Sequence, residues 1–146
     1  MMAGVLDKVT IRRLPDVAPP IPDGGGRIVT PAGELAQIVN GEAYRYLAFL
    51  EFQPDPNAPR GNHFHAVKTE HLYIVAGLVR ATYRDLDTDE TAEVELVGGD
   101  LVVVQPRCAH AYVALAHSHA VEFSPLGYDP ADTIRYVLSA MDPNLG

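Results

Sequence analysis

The sequence predicts an all-β fold, a sandwich or barrel of short strands, and three observations carry that expectation. From residue 34 onward, runs rich in Val, Leu, Tyr or Phe succeed one another at strand length. Gly, Pro, Asp, Asn or Ser separates each run from the next. With 12 Gly and 12 Pro in 146 residues, the chain is richer in turn formers than a few long helices would tolerate.

The runs are ELAQIVN (34 to 40), YRYLAFLEF (44 to 52), HLYIVAG (71 to 77), VRATYRDL (79 to 86), TAEVELV (91 to 97), DLVVVQ (100 to 105), HAYVALA (110 to 116) and AVEFSPL (120 to 126). DTDE (87 to 90) and GGD (98 to 100) read as hairpin turns. Ahead of them, PDVAPPIPDGGG (15 to 26) mixes fixed-φ prolines with three glycines and sustains neither a helix nor a central strand. This divides the chain into an extended N-terminal arm, residues 1 to 30, and a single domain, residues 31 to 146. The arm is either a disordered leader or a segment that wraps the barrel or a second subunit. Near the end, Asp129 suits a helix cap, Pro130 the first helical position, and Ile134, Val137, Leu138 and Met141 recur at helical spacing, so one short C-terminal helix is expected.

Eleven Lys and Arg against 19 Asp and Glu give a net charge of −8, which argues against nucleic acid or an anionic membrane as partner. A small anionic substrate still binds where arginines are focused, and Arg60, Arg80, Arg84 and Arg107 are the residues to watch. The single cysteine, Cys108, excludes an internal disulfide, and Met1 to Arg13 lacks the pattern of a signal peptide, so a cytoplasmic setting is expected.

The segment RGNHFHAVKTEHLYIVAG, residues 60 to 77, carries the strongest chemical signal. On a strand, His63 and His65 project from one face and Phe64 from the other, so two imidazoles are placed to share one ion. Glu70 lies five residues after His65, an odd offset that requires a turn within Ala66 to Thr69 before it opens the next strand. His110, after Pro106, supplies a third imidazole from a distant strand. Three neutral imidazoles with one carboxylate suit a divalent transition metal such as Zn, Fe, Mn or Ni rather than Ca or Mg.

HFH (63 to 65), then Glu70 and Gly77, closely resembles the first motif of the cupin superfamily. Gly99 to His110 is similar to the second motif, although Pro106 comes one residue late and Cys108 stands where that motif has glycine. The likeness spans about residues 35 to 126. It implies a jelly-roll β-barrel with the metal inside its open mouth, and a homodimer. The string Arg60-Gly61 before His63-x-His65, with the tail YDPADTIRYVL (128 to 138), is similar to cupins that isomerise or epimerise nucleotide-linked keto-sugars. In the metal-free ketoisomerases of that group the two histidines act as acid and base; the added Glu70 and His110 imply that a metal is retained here.

The resulting expectation is a metal-dependent enzyme that moves a proton next to a carbonyl. Glu70, His71, Tyr73 and Tyr112 are the candidate bases, with Arg60 and Arg107 as candidate holders of an anionic substrate group. Polyketide cyclisation, Fe(II)-dependent dioxygenation and non-catalytic sugar or metal binding are the alternatives. His117 and His119, in the turn AHSHA, are expected to be solvated, and Cys108 to pack as a small apolar residue.

Overall fold

The computed structural model describes residues 2–138. In chain order these form β1 (Met2–Leu6), β2 (Val9–Arg13), β3 (Gly26–Thr30), β4 (Gly33–Gln37), β5 (Tyr46–Phe52), β6 (Arg60–Phe64), β7 (Glu70–Ala76), β8 (Leu78–Asp85), β9 (Thr91–Val97), β10 (Asp100–Val104), β11 (Cys108–Ala114), β12 (Ser118–Ser124) and β13 (Ile134–Arg135). A six-stranded sheet runs β1-β2-β10-β7-β12-β5 and a five-stranded sheet runs β13-β6-β11-β8-β9, while β3 and β4 form a separate hairpin. From β5 onward the chain crosses repeatedly between the two large sheets, which is jelly-roll topology. Among the described residues no helix is long and apolar enough to cross a membrane.

Alternation of side chains explains why the sheets face each other. In β5 and β9 buried or half-buried positions alternate with exposed ones, as expected for strands with one wet face. Val9, Phe52, Leu72, Ile74 and Val102 from one sheet meet Val79, Tyr83, Leu96 and Tyr112 from the other in a common core. Burying each such side chain is worth about 1.5–3 kcal/mol. The central strands are covered on their outer faces as well. Leu14, Ala36, Ile38 and Tyr44 pack over Tyr73, Leu101 and Phe123, so the N-terminal segment and the β3–β4 hairpin form an outer layer. Residues 15 to 25 contain no strand, in keeping with their prolines and glycines, whereas the residues before them pair directly into the large sheet as β1 and β2.

The expected C-terminal helix does not form over the described residues. Asp129 does cap, accepting from the Ala131 N–H at 2.9 Å, but the turn it starts is a three-residue 3-10 turn, Pro130–Asp132. The chain then extends: Ile134 and Arg135 pair with Phe64 and His63, and the Tyr136 N–H donates to the Asn62 carbonyl at 2.8 Å. β6 would otherwise be a sheet edge with unpaired backbone groups, and the β-branched and aromatic residues of this segment suit a strand. Met141 lies outside the described residues.

Candidate functional site

A bulge in β6 sets the aim of the site. His110 of β11 lies opposite His63, the next residue Ala111 lies opposite Gly61, and Asn62 is the extra residue between them. Gly61 and Asn62 both take left-handed conformations, with φ of 87° and 56°. At Gly61 the strands approach so closely that a Cβ would fall 2.6 Å from the His110 carbonyl oxygen. Gly61→Ala is therefore expected to cost about 1–3 kcal/mol in thermal or denaturant unfolding, and to disturb the histidines beside it.

The bulge leaves His63 and His110 directly across from one another, with ring centroids 4.7 Å apart, and His65 sits 4.9 Å from His63. Bends at Ala66 and Val67 carry the chain into Glu70, the first residue of β7. One ligand-type atom from each of His63, His65, Glu70 and His110 lies within 4.8 Å of the others. The carbonyl of Asp132 accepts from His65 Nδ1 at 2.8 Å and that of Cys108 from His110 Nδ1 at 3.0 Å. In the neutral ring this puts the proton on Nδ1 and leaves Nε2 able to bind an ion; both Nε2 atoms are buried. They stand 3.6 Å and 3.0 Å from the two Glu70 oxygens. Carbonyl-oriented imidazoles beside a carboxylate are how metal sites fix their histidines, so these four residues could hold a transition metal.

Asp132 organises the loop between His65 and Glu70. Its carboxylate accepts from the backbone N–H groups of Ala66, Val67 and Lys68 at 2.7, 3.1 and 3.0 Å. Asp132→Ala should weaken metal retention about 10–100-fold, read by competition with a chelator, while the fold persists.

The charges are arranged around burial. Burial pushes Glu70 up, but the adjacent His110 and His65 imidazoles outweigh it and hold its pKa well below the usual carboxylate range. Burial, reinforced by the neighbouring His110, holds His63 down at about 4, so it is neutral at pH 7. Burial lowers His65 as well, yet the Glu70 carboxylate leaves it raised overall. Lys68 is buried with its Nζ 3.9 Å from Glu70 and 4.5 Å from the centre of the Tyr46 ring.

Glu122 of β12 is a site residue that the sequence reading did not single out. It lines the same cavity and accepts from the Tyr46 hydroxyl at 3.2 Å. Burial and the neighbouring Glu70 carboxylate push its pKa up to about 8. Its signal in the sequence was one carboxylate at an inward position of an apolar strand, between Ala120 and Ser124. A carboxyl raised from 4.5 to about 8 on folding is protonated in the folded state and ionised in the unfolded one between those values, so its contribution to stability falls as pH rises through that window. His63, lowered from 6.5 to about 4, works the other way and contributes fully above pH 6.5. Between pH 6.5 and 8 chelator-treated wild type should therefore lose roughly 1–2 kcal/mol relative to Glu122→Gln, measured by urea unfolding.

The cavity, about 90 Å³, is bounded by Leu50, Phe52, Leu72, Arg60, Gly61, His63, Glu70, His110, Tyr112 and Glu122. Of the remaining predicted residues, Tyr112 lines it and shares a hydrogen bond with the buried Tyr83 hydroxyl at 3.3 Å. Arg60 sits at the rim with its Nε on the Glu51 carbonyl and its guanidinium over the Phe52 ring. Tyr73 is not in the cavity: three residues from Glu70 on one strand, it faces the opposite way and packs with Leu14 and Leu101 in the outer layer. His71 is likewise outward, stacked on Phe123 at 5.0 Å. Arg107 is also displaced from the cavity, paired with Asp87 at 3.0 Å on an exposed turn. Cys108 is buried in the core, its thiol pushed up to about 11 by burial.

Comparison with known proteins finds solved structures of similar fold and a matching family. Solved structures with the same fold include QdtA, a sugar 3,4-ketoisomerase from Thermoanaerobacterium thermosaccharolyticum in complex with TDP (18% identity, TM-score 0.69, covering 89% of this chain and 89% of that one). Others are the dTDP-4-dehydrorhamnose 3,5-epimerase of Sulfolobus tokodaii (11%, 0.72, 91% and 79%) and the RmlC epimerase of Mycobacterium tuberculosis (16%, 0.72, 99% and 76%). No curated protein matches the chain. The chain shares the jelly-roll fold of these structures. Residues 31–122 match the model of the polysaccharide biosynthesis C-terminal domain, most of the chain, and the protein belongs to that family.

Proposed function

We propose that the chain catalyses proton transfer on a carbon next to the carbonyl of a keto-sugar carried on an anionic nucleotide, an isomerase- or epimerase-type reaction supported by one divalent transition metal. One observation carries this reading: one cavity is lined by His63, Glu70 and His110, three members of a donor set that His65 completes, together with two proton-bearing groups outside that set, the Glu122 carboxyl and the Tyr112 phenol. The names of the structural relatives, ketoisomerases and epimerases, agree with it in reaction class.

The donor set fits the ion, because His65 and His110 each present a buried Nε2 beside Glu70. His63, His65, Glu70 and His110 would hold a Zn, Fe, Mn or Ni ion, which would supply Lewis acidity beside the substrate carbonyl. Glu122, held by the Tyr46 hydroxyl and lying against Glu70, takes up or returns the proton of the carbon next to that carbonyl. Tyr112, braced by Tyr83, donates toward the developing oxyanion. Leu50, Phe52 and Leu72 exclude water and strengthen both interactions. A cavity of about 90 Å³ admits the reacting end of a substrate only, so the phosphates lie over the rim, where Arg60 offers its guanidinium. A homodimer is part of the same reading: β5 is a sheet edge that leaves Leu47 and Phe49 74% and 65% exposed.

Deuterium wash-in from heavy water into a dTDP-linked 4-keto-sugar, followed by mass spectrometry with and without chelator, tests the proposal. Exchange that stops on chelation and returns with metal supports it. Exchange that ignores chelation assigns the chemistry to His63 and His65 as acid and base without metal, and oxygen uptake without exchange replaces the reading with an oxygenase.

A further inference from the structure

We infer that Glu51, His117 and His119 form a second, surface site for a divalent transition metal such as zinc, distinct from the cavity. Glu51 of β5 lies directly opposite His119 of β12 in the strand register, and His117 precedes it by two residues. One ligand-type atom from each of the three lies within 4.8 Å of the other two. The Glu51 carboxylate meets His117 Nε2 at 2.6 Å, and the two imidazole rings are 4.8 Å apart. Two imidazoles and one carboxylate make a ligand set that prefers zinc, copper or nickel to calcium or magnesium, and three protein ligands leave a position for water or an outside group.

The two histidines are held rather than floppy. Between them Ser118 is fully buried; its hydroxyl accepts from the Leu78 N–H at 3.0 Å and donates to the Ala116 carbonyl at 2.7 Å. Gly77 presses on it so closely that a Cβ there would fall 2.0 Å from the Ser118 oxygen. Pinning the middle residue of H-S-H fixes both flanking imidazoles on the outer side, and His119 also leans on the Phe49 ring at 5.5 Å. Ligands ordered before binding lose less entropy when the ion arrives.

The test is calorimetric titration of zinc chloride into chelator-treated full-length protein. In wild type, His117→Ala with His119→Ala should lower the zinc stoichiometry from two to one. In a His63→Ala, His65→Ala background the same pair should weaken the remaining zinc binding about 100-fold, and Glu51→Gln about tenfold. The two backgrounds separate this site from the cavity, and circular dichroism checks that each variant is folded. Unchanged zinc stoichiometry and affinity on removing His117 and His119 would overturn the inference.

Discussion

Replacing His63 and His65 together by alanine should leave a folded protein that no longer retains a metal through a chelator wash. Both imidazoles come from one short stretch, and His65 brings the Nδ1 bond to Asp132 that ties the C-terminal segment to the site. Two nitrogens lost from a four-member set leave Glu70 and His110, too few to hold an ion against a competing chelator. The apolar core between the sheets is untouched, because neither histidine belongs to it. Elemental analysis after the wash reads the effect. His117→Ala with His119→Ala should leave this chelator-resistant content unchanged, since that cluster is exposed.

Glu122→Gln should slow deuterium exchange into the keto-sugar by about 10²–10⁴-fold, the usual worth of a positioned acid–base group. The amide keeps the shape and the contact with Tyr46 but neither takes nor gives a proton. Tyr46→Phe removes the hydroxyl at 3.2 Å and should produce a smaller loss, because Tyr46 positions the carboxyl without meeting substrate. Equal exchange rates in Glu122→Gln and wild type would shift the proton carrier to Tyr112 or to the histidines.

Much of this site was legible because strand alternation is strict. His63 and His65 flank Phe64, Glu70 needed a turn, and the structure supplies bends at Ala66 and Val67. Tyr73 as a candidate base goes against the same rule: its odd offset from Glu70 turns it outward, and the structure packs it in the outer layer instead of the cavity. The bulge at Asn62 was not legible: it depends on which backbone lies opposite, which periodicity does not contain. Glu122 and Lys68 were missed for a similar reason, since a lone charged residue among apolar ones looks the same whether it faces water or a cavity. The helical spacing of Ile134, Val137 and Leu138 was overridden by the open edge of β6, which offered backbone partners to an extended chain. Residues 2 to 13 carried too short a pattern to reveal that β2 pairs with β10.

The four-residue convergence is tested most directly by a crystal structure of metal-loaded protein with anomalous scattering collected at the absorption edge of the ion. The account predicts one strong peak in the cavity, about 2.0–2.3 Å from Nε2 of His65, Nε2 of His110, a ring nitrogen of His63 and an oxygen of Glu70. A cavity without a peak after loading, or a peak there that Glu70 and the three histidines do not touch, would contradict it.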